Sequence, residues 1–307
     1  MKTAVIVNPA AGGGRGKGRW SDVHERFLSV LGDFDLLYTG SIGHGVDLAR
    51  EALINGAERL IAVGGDGTWH EIVEGCVGLD PAIRGDVALG FFPTGSGCDF
   101  ARHMNFPKDA DALLAMLNAG NTKLVDVVRA SFDTAAGRRT VHMTNMAAFG
   151  LGGDVAHLLA RTGKPFGGRA TYFLATAGIL AATKPKKYEI ILDGNILEET
   201  ELYSAILANT SSTGGGMLIA PDADNRDGLF ELITFGAMPA WELIKKLPLL
   251  YSGRHLTQPG VTLRQGKTMR VRVLSGETAW LNIDGEAAGS LPAEFEILPK
   301  AVPVIVP

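Results

Sequence analysis

The feature that most limits what this chain can fold into is a repeated unit in its first third. A short apolar run ends in a glycine-rich break, and a helical stretch follows. Thr3–Val7 stops at Asn8-Pro9 and a glycine cluster, Leu60–Val63 stops at Gly64-Gly65, and Val87–Phe92 stops at Pro93 before Thr94-Gly95-Ser96-Gly97. Between them, Trp20–Leu31, Val46–Asn55 and His70–Gly75 carry helical spacing, and Asp35–Thr39 reads as a further strand. Alternating strand and helix implies a mostly parallel sheet with helices on both faces. In such sheets ligands bind at the carboxyl ends of strands, where these glycines lie.

From about Asp126 the pattern changes. Arg139–Met143, Tyr188–Leu192, Leu202–Ala208, Leu229–Thr234, Met269–Leu274 and Ala279–Ile283 read as strands, interrupted by helical stretches at 171–182 and 240–250. The expected fold is an α/β N-terminal domain with a mostly parallel sheet, plus a mainly antiparallel β C-terminal domain. The expected division is 1–127, 128–290, and a last segment, 291–307, returning to the first domain.

Composition removes several classes. The chain has 307 residues, a net charge of -4 and two cysteines. That charge argues against general nucleic-acid binding, and two thiols make neither a disulfide framework nor a zinc site. A cytoplasmic location fits. The opening apolar run, Ala4–Val7, is too short for a secretory signal and reads as a strand. The longest apolar stretch, Tyr172–Ala182, is too short to cross a bilayer, so membrane contact is expected to be peripheral.

The glycine clusters suggest phosphate chemistry. In Gly64-Gly65-Asp66-Gly67-Thr68, consecutive glycines let backbone N–H groups converge on an anion, and the following helix adds positive potential. Asp66 would meet a phosphate through magnesium or water. A bare Gly-Gly turn would need no ligand, but the setting of this one favours one. Thr94-Gly95-Ser96-Gly97-Cys98-Asp99 has the same strand-to-helix placement. The segment Asn8–Lys17 has neither Walker nor dinucleotide spacing.

Together these residues resemble the diacylglycerol kinase catalytic domain family, which includes bacterial lipid kinases and sphingosine and ceramide kinases. The resemblance runs from Asn8-Pro9 through GGDGT, PTGSGCDFA, Asn145–Asp154 and Ile219–Leu229 to Ile283-Asp284-Gly285-Glu286. It implies an NAD kinase-like character for the first domain, ATP and Mg²⁺ as cofactors and a lipid hydroxyl as phosphate acceptor. Partners are then the lipid substrate, a membrane surface and, as an assembly, a homodimer.

The resemblance also assigns residues. Asn8, Pro9, Gly12, Thr39, Gly64, Gly65, Asp66, Gly67, Thr68, Glu71, Thr94, Gly95 and Ser96 would contact nucleotide. Asp66, Asp99 and Asp126 would organise catalytic magnesium and water. Asp284 would be the general base, with Glu286 beside it. A structural magnesium would take the side chain of Asp227 and the backbone carbonyls of Asp224 and Leu229, and Asp154 would meet the lipid head group. One departure stands out: most members carry Asn where this chain has Cys98, and a thiol is a poor donor and acceptor.

A sphingoid or ceramide substrate is the nearest rival. NAD kinase shares GGDGT, but PTGSGCDFA and IDGE argue against it. A lipid-binding protein that has lost catalysis is the reading from another class. A slot for the lipid is expected against Tyr172–Ala182 or Trp241–Tyr251, although core-facing helices would carry the same pattern.

Overall fold

The computed structural model describes residues 1–14, 16–95, 97–162, 178–179, 183–274 and 276–307. The chain divides into two compact units, one of residues 1–126 with 300–307 and one of residues 127–299.

In the first unit, β1 (Thr3–Val7) lies between β2 (Asp35–Tyr38) and β3 (Arg59–Gly64), and β3 pairs with β4 (Ala88–Pro93), all in parallel. The returning chain sets Val304 beside Leu89, also in parallel. Helices connect the strands: α1 (Ala11–Gly14), α2 (Gly16–Leu31), α3 (His44–Ile54), α4 (Asp66–Val77), α5 (Pro81–Arg84), α6 (Asp99–His103) and α7 (Ala110–Ala119). Every residue of β1 and β3 is buried, as expected of strands covered on both faces. Trp69 of α4 stacks between Phe91 of β4 and Phe100 of α6, with ring centroids 5.3 and 4.6 Å away. That stack fixes where the turns after β3 and β4 begin.

The second unit is built from antiparallel pairs. Its strands are β5 (Thr122–Thr134, entering from the first unit), β6 (Gly137–Met143), β7 (Met146–Gly150), β8 (Lys186–Leu192), β9 (Asn195–Ala208), β10 (Phe230–Gly236), β11 (Val261–Gly266), β12 (Thr268–Val273), β13 (Trp280–Ile283) and β14 (Glu286–Ile305). One path runs β11-β10-β9-β7-β13-β14. Phe132, Phe149, Tyr188, Phe230 and Phe295 belong to one core cluster. A second cluster gathers Leu151 and Val155 of α8 (Leu151–Thr162), Ile219, Phe235, and Leu243 of α9 (Ala240–Lys246).

Helix α8 seats unusually close to β13. A Cβ on Gly153 would come within 1.8 Å of the Trp280 carbonyl oxygen, and the His157 ring stacks on Trp280 with centroids 3.8 Å apart. Backbone cannot yield as a flexible side chain does, so only glycine fits at position 153. Gly153→Ala is expected to cost about 3 kcal/mol through overpacking, read as a lowered denaturant midpoint at unchanged slope. An unchanged midpoint would mean that α8 slides freely.

Candidate functional site

In the first unit, the carboxyl ends of β1, β3 and β4 bring three of the glycine-rich turns together. The Asn8 amide nitrogen donates to Thr68 Oγ1 at 3.0 Å, while Asn8 Oδ1 accepts from Ala10 N–H at 3.0 Å. Gly64 O accepts from Thr94 N–H at 2.7 Å and Gly95 N–H at 3.1 Å. Side chains are excluded there: a Cβ on Gly95 would lie 2.7 Å from the Gly65 Cα, and one on Gly64 would meet Thr68 Oγ1 at 2.3 Å. Gly12 is in the left-handed region at φ 63°, where its Cβ would stand 3.0 Å from Thr94 O. Arg19 donates to that same carbonyl.

Around this nucleus, Gly67 lies in the first turn of α4, and Pro9 follows Asn8 into the first turn of the loop. Thr39 closes β2, its N–H donating to Val7 O at 3.0 Å. Asp66 Oδ1 accepts the Phe100 N–H at 3.2 Å, linking the two later turns. Thr94 is buried, and its hydroxyl has no hydrogen-bond partner among the described residues. Ser96 lies outside the described residues.

Three of the expected residues have other work. Glu71 gives one oxygen to Gly43 N–H at 2.7 Å and the other to Gly45 N–H at 2.8 Å. It therefore caps α3, whose N-cap Gly43 has no side chain to do so. Asp99 is buried and paired with Arg102. Asp126, also buried, accepts the Lys300 N–H at 2.6 Å and so ties the returning strand into its unit.

Cys98 occupies the N-cap of α6 at φ 50° and ψ 50°, a left-handed conformation, and makes no capping bond. Burial, and then the Asp66 carboxylate, push its thiol up to about 12. It therefore stays protonated and unreactive at neutral pH. Asparagine tolerates this backbone conformation far better than cysteine does.

In the second unit, Asp284 and Gly285 form the β13–β14 turn, both with positive φ (49° and 90°). The Asp284 carboxylate is the anchor of a backbone corner. Oδ2 accepts from Thr144 N–H at 2.9 Å, and Oδ1 accepts from Asn145 and Met146 N–H at 2.9 and 3.0 Å. The Asp284 N–H returns a bond to Met146 O at 2.8 Å. Glu286, two residues on, is exposed, and no hydrogen bond or ion pair engages its carboxylate among the described residues. The sequence put the proton acceptor on Asp284, with Glu286 beside it; in this turn the Asp284 carboxylate is taken up by backbone amides and the Glu286 carboxylate is exposed.

A narrow pocket, with a cavity volume of about 90 Å³, lies beside that turn. Leu151, Val155, Met217, Ile219, Phe235 and Leu247 give it an apolar wall, and Asn282, Ser204 and Gly285 are polar points on its lining. Leu243, Leu250 and Tyr251 show that the expected Trp241–Tyr251 segment does line a slot. The 171–182 segment lies outside the described residues except for 178–179. Asp154 is not part of the pocket lining: burial raises its carboxyl pKa, and Lys186 and His157 oppose the shift. Sequence reasoning missed Met146, Ala147, Ala148, Gly152 and Ile206 as lining residues, since they are dispersed along three elements.

The loop expected to hold magnesium carries its own side-chain contacts. Asp224 gives both carboxylate oxygens to Arg226, at 2.8 and 3.1 Å, and Asp227 Oδ1 accepts the Leu229 N–H at 2.9 Å. A hard cation wants about six oxygen ligands. These contacts engage the Asp224 carboxylate and one oxygen of Asp227, whereas the expected ligands are the Asp227 side chain and the backbone carbonyls of Asp224 and Leu229. Among the described residues no group of three His, Cys, Asp or Glu could hold a metal ion.

Comparison with known proteins agrees along the whole chain. Residues 2–130 match the diacylglycerol kinase catalytic domain. Residues 145–306, more than half of the chain, match the YegS C-terminal NAD kinase beta sandwich-like domain. The chain is 29% identical to a diacylglycerol kinase of Bacillus subtilis, covering 100% of this chain and 97% of that protein. It is 28% identical to one of Mycobacterium tuberculosis, covering 100% and 95%. A solved structure of a diacylglycerol kinase from Bacillus anthracis shares the fold, with a TM-score of 0.73 at 20% identity over 100% of this chain and 97% of that one.

Cys98→Asn is expected to relieve about 1 kcal/mol of backbone strain and to raise the thermal midpoint by about 2–4 °C. A lowered midpoint would show that the thiol's packing outweighs the strain.

Proposed function

The chain belongs to the diacylglycerol kinase catalytic domain family and is a lipid kinase, and we propose that it transfers the γ-phosphate of ATP to the hydroxyl of a diacylglycerol-like lipid. One observation carries the choice of acceptor: the apolar pocket has Gly285 in its wall, next to the available carboxylate of Glu286. A hydrocarbon chain suits that wall, whereas a dinucleotide would leave its own polar groups unpaired there.

The turns at Asn8, Gly64–Thr68 and Thr94-Gly95 supply the phosphate chemistry. Glycine backbone lets N–H groups approach an anion closely, and α4 starts at Asp66 with its positive end toward the turn. The unpartnered Thr94 hydroxyl suits a phosphate oxygen. Asp66, a hard oxygen donor among these turns, fits the Mg²⁺ that accompanies ATP. That ion supplies neutralisation of the charge on the transferring phosphate. Asp99, paired with the Arg102 side chain, and Asp126, which accepts the Lys300 N–H, are not assigned to magnesium. A hydroxyl is a weak nucleophile at neutral pH, so a carboxylate must take its proton as attack proceeds. Glu286 is assigned that role, and Asp284 shapes the turn that presents it.

Glu286→Gln is expected to lower kcat by about 10²–10⁴-fold with an unchanged thermal midpoint. Asp284→Asn, which places an amide against amide donors, is expected to destabilise the second unit by about 2–3 kcal/mol. Near-normal kcat in the Glu286 variant, with normal stability and lost turnover in the Asp284 variant, would return the base to Asp284.

The substrate assignment is tested by transfer of label from γ-labelled ATP to diacylglycerol, monoacylglycerol, ceramide, sphingosine or NAD. Label on the glycerolipid is expected. Label on NAD or a sphingoid alone would overturn the assignment.

A further inference from the structure

The segment from Trp241 to Tyr251 is apolar on both of its faces. Inward, Leu243, Leu247 and Leu250 line the pocket. Outward, Trp241 is 57% exposed, Ile244 37% and Tyr251 41%, and Pro248 is exposed between them. Trp241, Ile244 and Lys245 lie at helical spacing on α9, and Pro248 and Tyr251 lie three apart on the 3-10 helix that continues it, Leu247–Tyr251. A helix with apolar side chains on its exposed face as well as its buried one, and cations among the exposed ones, suits a boundary between water and an apolar phase. Solvent is the wrong neighbour for the outer stripe.

The stripe carries its own charge pattern. Lys245 Nζ stands 4.5 Å above the Trp241 ring. Lys246 and Arg254 follow, and Glu242 is the single acid between 241 and 254. Three cations against one carboxylate give this stretch +2, in a chain whose net charge is -4. Lys246 donates to Pro259 O at 2.8 Å, which holds it beside the stripe. An exposed tryptophan next to lysines, on a helix with apolar side chains, matches the interface of an anionic bilayer in both polarity and charge.

We infer that this helix face docks on the surface of an anionic phospholipid bilayer, seating the pocket wall against the membrane that supplies its lipid. The role of the inner face rests on the lipid-kinase proposal. The docking itself does not, because it depends only on the outer stripe. Docking of this kind is peripheral: among the described residues no helix is long and apolar enough to cross a membrane.

The test is co-sedimentation of the full chain with vesicles of phosphatidylcholine alone or of phosphatidylcholine with phosphatidylglycerol. It is run beside kinase assays on vesicle-borne and detergent-dispersed diacylglycerol. Binding is expected for the anionic vesicles only. Trp241→Ala is expected to weaken it about tenfold or more. Lys245→Glu, a two-charge change, is expected to weaken it about thirtyfold. Neither residue lines the pocket, so activity on detergent-dispersed lipid should be unchanged in both variants. A third variant, Ile244→Ser, keeps the test open if Trp241→Ala does not fold. Vesicle binding equal to the parent's in all the folded variants would overturn the inference. So would a parent dimer that Trp241→Ala makes monomeric while its vesicle binding persists. Loss of vesicle binding in a protein that phosphorylates no lipid would uphold the docking face and reject the kinase proposal instead.

Discussion

Everything at the glycine turns of the first unit depends on how closely two backbones can approach. The turns after β3 and β4 meet with Gly64 O bridging Thr94 and Gly95 N–H, and a Cβ at Gly95 would lie 2.7 Å from the neighbouring backbone. Any larger residue would part the turns and scatter the amides that face an anion. The Phe91–Trp69–Phe100 stack holds the helices that follow, so large aromatic burial keeps the glycine turns in place. A stiff core beneath bare backbone satisfies the main requirement of phosphoryl transfer, which is prearranged position and charge.

The second unit solves a different problem with similar means. Asp284 uses its charge on three amides of one corner, and that corner sets both the rim of the apolar pocket and the start of β14. Glu71 does the same for α3. In each case a carboxylate that looks chemical in the sequence is a backbone organiser in space. The proposed division of labour between Asp284 and Glu286 rests on that contrast: the first is bound to several donors, and the second is exposed.

Local patterns were readable from the sequence, and long-range satisfaction was not. Thr3–Val7 is a strand with those limits, because a fully buried parallel strand is a plain apolar run. Asp284-Gly285 is the turn its composition suggests. The strand at Met146–Gly150 went unseen, since MAAFG has no β-branched residue and no alternation. The strand at 195–208 begins seven residues before the legible Leu202–Ala208 run, because its first half is polar and half-exposed. The amides of 144–146 meet Asp284 across about 140 positions, and no periodicity encodes that meeting. The pocket was visible only as an apolar helix at 241–251; its other walls come from elements far apart in the chain.

The central claim is that ATP phosphates and a lipid chain are held by two separate sets of residues. Hydrogen exchange, measured with a non-hydrolysable ATP analogue and separately with detergent-dispersed diacylglycerol, tests it most directly. The nucleotide should slow exchange at 64–68 and 94–95, and the lipid should slow it at 147–155 and 243–250. Protection by the lipid at the glycine turns, or none by the nucleotide there, would contradict the account.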